Sequence, residues 1–297
     1  MKPWRSLLLT ATLTTALPVG SAPLTFNTAL PVAEGEYLLR QQFIVNQSGH
    51  DPGMLARDRN AATSLTVLGY GINHRLAVFG ALPYQDIDLE LTKAGRRITR
   101  SASGFGDLTL FGRYTVVQRD RPGSSFRIAP FAGVKTPTGD DRQSDALGRL
   151  PAAAQVGSGS WDPLIGMVAT YQTLDYEVDG QIAYQARTRA HDFESGDIAR
   201  MDASLQYRLW PRQLDSGVPG FLYGILETNL IHQQKDRLAG IRDPNSGGTR
   251  LFLTPGLQYV TRRWVLEGAV QLPVLQELNG TALENDYIAR IGLRINF

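Results

Sequence analysis

The final segment of the chain alternates apolar and polar positions without a break as far as Phe297. Tyr287 and the odd-numbered residues after it share an apolar face, whereas Arg290 and Arg294 point to the opposite side. This period of two is that of a β-strand, in which successive side chains face opposite sides of the sheet. The same alternation recurs along most of the chain, and it predicts an all-β protein.

Twelve segments follow this period, and most are near the ~9–11 residues that a tilted strand needs to cross a bilayer. Segments 36–46 and 61–73 alternate poorly, so their register is left open. The twelve predicted strands are 36–46, 61–73, 75–86, 105–118, 125–136, 161–174, 176–188, 197–209, 220–232, 249–260, 264–274 and 285–297.

The connections between these segments alternate in length. Long connections, such as 87–104 and 137–160, take turns with short ones, such as Asn73-His74 and Asp175. Long loops at one end and short periplasmic turns at the other are typical of outer-membrane barrels. The sequence therefore predicts a transmembrane antiparallel β-barrel of about twelve strands over residues 36–297, with both termini periplasmic. A soluble antiparallel sandwich, which also has one apolar and one polar face, is the alternative.

The N-terminus has the form of a secretory signal peptide. Lys2 and Arg5 precede an uncharged run, and small residues then appear up to Ala22. The run is too short for a spanning helix, which needs ~20 residues, so we expect a signal peptide over 1–22 rather than an anchor. Residues 23–35 would then form an N-terminal periplasmic segment, and the protein would reside in the bacterial outer membrane.

Composition narrows the possible functions. Without Lys2 and Arg5, 28 basic residues face 28 acidic ones, which gives no argument for a nucleic-acid partner. The sequence contains no cysteine, which excludes disulfides and thiolate metal sites. No motif for a cofactor is recognised.

Charged residues fall on the polar face of the predicted strands. A charge facing lipid at mid-membrane costs about 2–4 kcal/mol, so we expect these side chains to line the interior, where they either border an aqueous path or pair with one another. The predicted pore-lining residues are Asp107, Arg113, Arg127, Lys135, Glu177, Asp179, Arg187, Arg200, Asp202, Arg208, Glu227, Glu267, Arg290 and Arg294.

Three pieces of sequence carry a more specific resemblance. Residues 104–114, GFGDLTLFGRY, resemble the "GxGD" strand start of the transporter-like family of the meta-pathway of phenol degradation. Residues 130–139 are similar to its "G-x-K-x-P-T-G" strand end, and residues 150–162 to its "LP…Q.GSGS.D" entry into the next strand. The resemblance implies an outer-membrane β-barrel that passes aromatic or other hydrophobic compounds.

The C-terminal strand, which ends on the aromatic Phe297, resembles the assembly signal of outer-membrane barrels. That resemblance implies that the barrel assembly machinery and outer-membrane lipids are partners of the chain. We expect Phe297 to be needed for insertion, because the last strand completes the hydrogen bonding of the barrel.

Two kinds of site compete with a plain channel. Asp86 and Asp88 share a face and could act as a general-base pair, with His191 and Asp192 in another loop, as in outer-membrane proteases. The lipase spacing His-x-Ser does not occur in the sequence. A calcium site could form from Asp140, Asp141 and Asp145, although neighbouring arginines make an exposed loop the expected structure.

The sequence thus favours a passive outer-membrane channel or transporter for small, hydrophobic or aromatic molecules, with neither a catalytic residue nor a cofactor. An outer-membrane hydrolase and a structural barrel with a plugged lumen are the alternatives. The substrate, the oligomeric state and the openness of the lumen are not determined by the sequence.

Overall fold

A computed structural model describes residues 21–213 and 219–297, and in these two ranges the chain is almost entirely β-structure. A single turn of 3-10 helix, Ala152–Ala154, is the one helical element there, and no helix long and apolar enough to cross a membrane occurs in the same ranges. The strands are β1 (Tyr37–Ser48), β2 (Asp58–Gly71), β3 (Leu76–Lys93), β4 (Arg96–Phe105), β5 (Thr109–Tyr114), β6 (Val117–Arg121), β7 (Ser124–Lys135), β8 (Ser144–Asp145), β9 (Gly148–Arg149), β10 (Asp162–Thr173), β11 (Tyr176–Gln185), β12 (Phe193–Glu194), β13 (Ile198–Trp210), β14 (Phe221–Gln233), β15 (Arg237–Leu238), β16 (Ile241–Arg242), β17 (Gly248–Val260), β18 (Trp264–Leu278) and β19 (Tyr287–Asn296).

The long strands form one closed antiparallel barrel. Each wall strand pairs with the next, and β19 pairs with β1, so that Leu38 lies opposite Asn296 and Gln47 opposite Tyr287. β4, β5 and β6 act as one interrupted strand between β3 and β7. Counted in this way, the wall has twelve strands, and it confirms the predicted all-β, twelve-stranded barrel. Closure removes the unpaired edges that could not be satisfied in lipid.

The outer surface is apolar, as the alternation predicts. Phe43, Ile165, Ile182 and Ile291 are all more than half exposed, while Gln42 beside Phe43 and Gln181 beside Ile182 are buried inside the barrel. Such a surface suits contact with the hydrocarbon core of a bilayer, where the lipid-facing residues of a barrel form an apolar band. The predicted outward face of β19 is confirmed, with Leu293 and Phe297 also exposed.

Aromatic side chains are concentrated at the ends of the wall strands. At one end Tyr37 contacts both Tyr70 and Phe297, with ring centroids 4.8 and 5.7 Å apart. At the other end Tyr84 and Phe105 meet edge to face at 5.3 Å. Aromatic residues at both levels match the interfacial girdles of membrane barrels.

The connections are sorted between the two ends of the barrel. The end with short connections, here the turn end, holds 72–75, 122–123, 174–175 and 261–263. The other end, here the loop end, holds the long connections, including 136–161, which contains the β8–β9 hairpin and the 3-10 turn. Tyr37 and Phe297 exchange two backbone hydrogen bonds at the turn end. Which side of the membrane this end faces stays a prediction.

One predicted loop is wrong. Residues 87–104 were expected to form a long connection, but β3 and β4 continue as a paired hairpin as far as Lys93 and Arg96. The turn consists of Ala94 and Gly95, whose φ angles of 50° and 73° are both positive. Two central residues with positive φ are the requirement of a type I′ turn, whose twist matches that of paired strands.

The N-terminal segment also differs from the expectation. Residues 23–35 were predicted to form a periplasmic segment before the barrel, but the structure places residues 21–30 inside the lumen. Leu24 and Ala29 are completely or almost completely buried there, and the backbone is held by inward-facing side chains of the wall. Residues 1–20, which include most of the predicted signal peptide, lie outside the described ranges.

Candidate permeation cavity

A cavity of about 920 Å³ runs inside the barrel from the loop end down to the N-terminal segment. Its upper boundary includes Asp141, Arg149 and Leu150 of connection 136–161 and His191 of connection 186–197. Its lower boundary is residues 22–28. We call this space the permeation cavity. Ligand sites in proteins commonly occupy ~300–1,000 Å³, so the space is sufficient for a small organic molecule.

One side of the cavity is apolar and is built on β1, β2, β3 and β5. Leu65, Val67, Phe79 and Phe111 face the space there. The rings of Phe79 and Phe111 stack with centroids 4.8 Å apart, and Phe131 follows Phe111 at 6.3 Å. Odd-numbered positions of β3, β5 and β7 thus form a row of aromatic rings inside the barrel.

Glycines opposite these rings make the row possible. A Cβ atom at Gly69 would lie 2.7 Å from the Phe79 ring, and one at Gly166 would lie 2.3 Å from the Phe131 ring. A Cβ atom at Gly133 would lie 2.4 Å from the Phe111 Cβ. The Phe79 and Phe131 rings therefore lie against points of a neighbouring strand that carry no side chain, which is one use of glycine within a strand.

The N-terminal segment is held mainly through its backbone. The Glu227 carboxylate, fully buried, accepts hydrogen bonds from the Leu24 N–H at 2.6 Å and the Thr25 N–H at 3.2 Å. The Thr25 hydroxyl donates to the same carboxylate, and the Thr170 hydroxyl accepts from the Ala29 N–H at 2.8 Å. A buried carboxylate that satisfies several donors is favourable only while those donors remain in place.

Arginines bind the carbonyl groups of the same segment. Arg40 donates to the Pro23 and Leu24 carbonyls at 3.1 Å. Arg113 donates to the Thr28 and Leu30 carbonyls, and its guanidinium lies 5.0 Å from the Phe79 ring centroid. The lumen at the turn end is consequently filled by a polypeptide whose backbone groups are paired with the wall.

At the loop end, a second buried cluster joins residues 104–114, 130–139 and 150–162, the three segments that carry the family resemblance. The Lys135 ammonium lies 3.1 Å from Asp107 and 2.7 Å from Asp162, and it bonds the Ser158 hydroxyl at 2.6 Å. Asp107 also accepts from the backbone N–H groups of Gly139 and Ser158, each at 3.0 Å. This cluster fastens both ends of connection 136–161 to the wall.

Glycines allow the backbones to approach one another beside this cluster. A Cβ atom at Gly157 would lie 2.3 Å from the Gly139 carbonyl oxygen, and one at Gly139 would lie 2.8 Å from the carbonyl carbon of Gly106. The glycines of the three motif pieces therefore mark a point where three chain segments touch. The motif is explained by this contact and by the ionic cluster next to it.

The predicted pore-lining residues divide into two groups. Seven border the permeation cavity: Asp107, Arg113, Lys135, Arg187, Arg200, Arg290 and Arg294. The others pair mostly with neighbouring polar groups of the wall or with the N-terminal segment: Arg127 with Asp120, Glu177 with Ser21, Asp179 with Gln206, Asp202 with Arg200, Arg208 with Asp175, Glu227 with Leu24, and Glu267 with Arg40. That the first group borders a conducting path stays a proposal.

Sequence reasoning missed several buried polar residues that hold the N-terminal segment. Gln42 donates to the Leu24 carbonyl, the Gln181 side-chain oxygen accepts from Asn27, and that of Gln258 accepts from Ala22. These side chains are uncharged, whereas every predicted pore-lining residue is charged. An uncharged glutamine at an inward position of a strand was the available signal.

The residues of the alternative protease-like and calcium sites do not come together in the structure. Asp86 and Asp88 share a face, as predicted, but this is the exposed outer face of β3, where Asp88 accepts from Ser101. His191 bonds Asp141 at 2.7 Å in another loop. Asp145 pairs with Arg100 at 2.7 Å. In the part of the chain that the structure describes, no group of three or more potential ligands is arranged to hold a metal ion.

The closed wall, its apolar outer face and its sorted connections define a β-barrel of the bacterial outer membrane. The chain belongs to the family described as "putative MetA-pathway of phenol degradation", whose model matches residues 58–273. This confirms the resemblance carried by residues 104–162.

Two solved structures are similar to this chain, and the first supports the fold. The COG4313 outer membrane channel from Pseudomonas putida F1 is 13% identical, with a TM-score of 0.67, over 94% of this chain and 100% of that one. The β domain of the Bordetella autotransporter BrkA is 12% identical, with a TM-score of 0.49, over 89% of this chain and 100% of that one. A comparison with curated proteins gives no match.

Proposed function

We propose that the protein is a passive outer-membrane channel for small hydrophobic or aromatic molecules. The observation that carries the proposal is the permeation cavity, which leads from the loop end to the N-terminal segment and is apolar along one side. A merely structural barrel could fill its lumen with side chains, as small barrels do. The family description, which refers to phenol degradation, supports an aromatic solute.

The N-terminal segment supplies the constriction of this channel. It occupies the lumen below the cavity and is held by hydrogen bonds to Glu227, Arg113 and Thr170. A solute that entered from the loop end would meet residues 22–28 before it reached the turn end. Displacement of this segment would therefore determine how large a molecule can pass.

Purified protein in planar lipid bilayers and in liposomes tests the proposal. We expect measurable conductance for the intact protein and larger conductance after deletion of residues 24–30, because that deletion removes the floor of the cavity. Conductance that appears only after the deletion would favour the plugged barrel. Absence of conductance in both the intact protein and the deletion variant, together with lipase or protease activity abolished by Asp86→Ala, would favour the hydrolase.

A further inference from the structure

Basic side chains outnumber acidic ones on the lining of the permeation cavity. Among the described residues, eight arginines and lysines but three carboxylates border it. The whole chain is nearly balanced, with 30 basic and 28 acidic residues, so the excess belongs to this part of the molecule. The basic residues are Arg40, Arg113, Lys135, Arg149, Arg187, Arg200, Arg290 and Arg294, and the acidic ones are Asp107, Asp141 and Asp192.

The three carboxylates of the lining already have partners. Asp107 binds Lys135 and two backbone N–H groups. Asp141 binds His191 at 2.7 Å and lies 3.8 Å from Arg149, and Asp192 pairs with Arg189 at 3.0 Å. A solute in the cavity would therefore find little uncompensated negative charge on its wall.

Part of the positive charge, in contrast, has no carboxylate in contact with it. Arg40 and Arg200 pair with Glu267 and Asp202. Arg113 donates to the carbonyl groups of Thr28 and Leu30, which are neutral.

The guanidinium groups of Arg290 and Arg187 also have no carboxylate partner in the described ranges. Arg290 donates to the Leu24 carbonyl and to the Gln271 amide oxygen, both neutral. The Arg187 backbone N–H donates to the Asp197 carboxylate at 2.7 Å, whereas the buried Nε of its guanidinium has no hydrogen-bond partner in the described ranges. A guanidinium group without a carboxylate partner is suited to bind the carboxylate of a solute, because charge-assisted hydrogen bonds are about twice as strong as neutral ones.

The apolar side of the cavity supplies the complementary half of a binding site. Leu65, Val67, Phe79 and Phe111 can contact the ring or chain of an organic solute. We propose that the cavity selects small amphipathic anions, aromatic carboxylates above all, with the apolar body on this side and the carboxylate on Arg187. The inference rests on the proposed channel function and specifies the class of its solutes.

Reversal potentials and current block in planar bilayers test the proposal. In a potassium chloride gradient, we expect the reversal potential to show a preference for chloride over potassium. Benzoate should block the chloride current at lower concentration than acetate, which lacks the ring, and than benzylammonium, which has the opposite charge. Equal block by benzoate and benzylammonium in a conducting channel would overturn the selectivity while leaving the channel function intact.

Substitutions in the cavity lining test which residue binds the benzoate carboxylate. Arg187→Gln should raise the benzoate concentration for half block roughly tenfold, the effect of one lost charge-assisted hydrogen bond. Arg187→Lys should retain most of the block because the charge remains. The matched control is Arg96→Gln, which alters an exposed arginine of the β3–β4 hairpin that is not part of the lining, and it should behave like the unmodified protein.

Leu65→Asn tests the apolar side and should reduce the preference for benzoate over acetate. Heat-modifiable gel migration establishes that each variant has folded. Unchanged benzoate block in folded Arg187→Gln would remove Arg187 from the site and overturn the proposal. Absence of any conductance in the unmodified protein would instead reject the channel function itself.

Discussion

At the scale of single residues, the lumen depends on polar groups that are satisfied by one another. Glu227 is fully buried and accepts from Leu24, Thr25 and Ser204. Removal of one partner from such an arrangement leaves an unsatisfied buried group, which costs about 1–3 kcal/mol. Charged residues in the lumen therefore contribute to the position of the N-terminal segment as well as to the polarity of the cavity.

Glu227→Gln should loosen the N-terminal segment, because an amide N–H₂ would replace one of the two carboxylate oxygens that accept from Leu24 and Thr25. The chain has no cysteine, so Phe26→Cys, at a buried position, gives a single reporter. We expect a water-soluble maleimide to label this cysteine about tenfold faster in the Glu227→Gln background. The control is Glu90→Gln, which alters an exposed pair with Arg97, and it should leave the labelling rate unchanged.

A histidine at the loop end provides a test of local electrostatics. His50 bonds Asp286 at 2.7 Å, and this hydrogen bond raises the pKa of His50 above its usual value. The protonated pair stabilises the contact between connections 49–57 and 279–286 below the ordinary histidine pKa. This contribution is lost as the pH rises through the elevated pKa.

Titration of His50 by histidine hydrogen–deuterium exchange should show the elevated pKa. Asp286→Asn removes both the charge and the strongest acceptor, so the pKa of His50 should return toward 6.5, the unperturbed value. An unchanged titration in the variant would show that Asp286 is not the cause.

At the scale of elements, alternation predicts most of the twelve wall strands, which have one apolar and one polar face, although it is poor in segments 36–46 and 61–73. It was not sufficient for the β3–β4 hairpin, because the turn depends on the φ angles of Ala94 and Gly95. The N-terminal segment has no period of two, because it is not a strand and its contacts are made by backbone groups. Neither its place in the lumen nor the cavity above it could be derived from hydrophobic pattern.

Gly157→Ala should displace connection 136–161, since its Cβ atom would lie 2.3 Å from a backbone oxygen of Gly139. Arg142 and Arg149 in this connection are potential trypsin sites. We expect limited trypsin digestion to cleave the variant there several times faster than the unmodified protein. Gly180→Ala is the matched control, because nothing lies within 4 Å of its added Cβ atom and cleavage should be unaffected.

At the scale of the whole molecule, the even number of strands places both barrel termini at the turn end, beside the short connections. Short turns of outer-membrane barrels face the periplasm. We therefore predict that an epitope tag inserted at Asn73-His74 is inaccessible to antibody in intact cells. A tag at Ala94-Gly95, in the tip of the β3–β4 hairpin, should be labelled. Labelling of the tag at Asn73-His74 but not of the tag at Ala94-Gly95 would show that the barrel has the opposite orientation in the membrane.

The seam between the first and last strands closes the barrel. Tyr37 and Phe297 exchange backbone hydrogen bonds of 2.7 and 3.0 Å, and their rings stack at 5.7 Å. Deletion of Phe297 leaves polar backbone groups of Tyr37 without these partners at the membrane boundary, where each unpaired group is costly. The deletion should therefore reduce the amount of heat-modifiable protein in outer-membrane fractions.

Arg290→Gln is the comparison for this deletion, because it alters the same strand but not the seam between Tyr37 and Phe297. Arg290 donates to Leu24 and Gln271 inside the barrel, so its replacement should loosen the lumen while the wall still closes. We expect assembled Arg290→Gln to exceed assembled protein without Phe297 when both are expressed at equal levels. Equal assembly of the two variants would show that the terminal aromatic residue is dispensable, and that the rest of the β1–β19 ladder is sufficient for insertion.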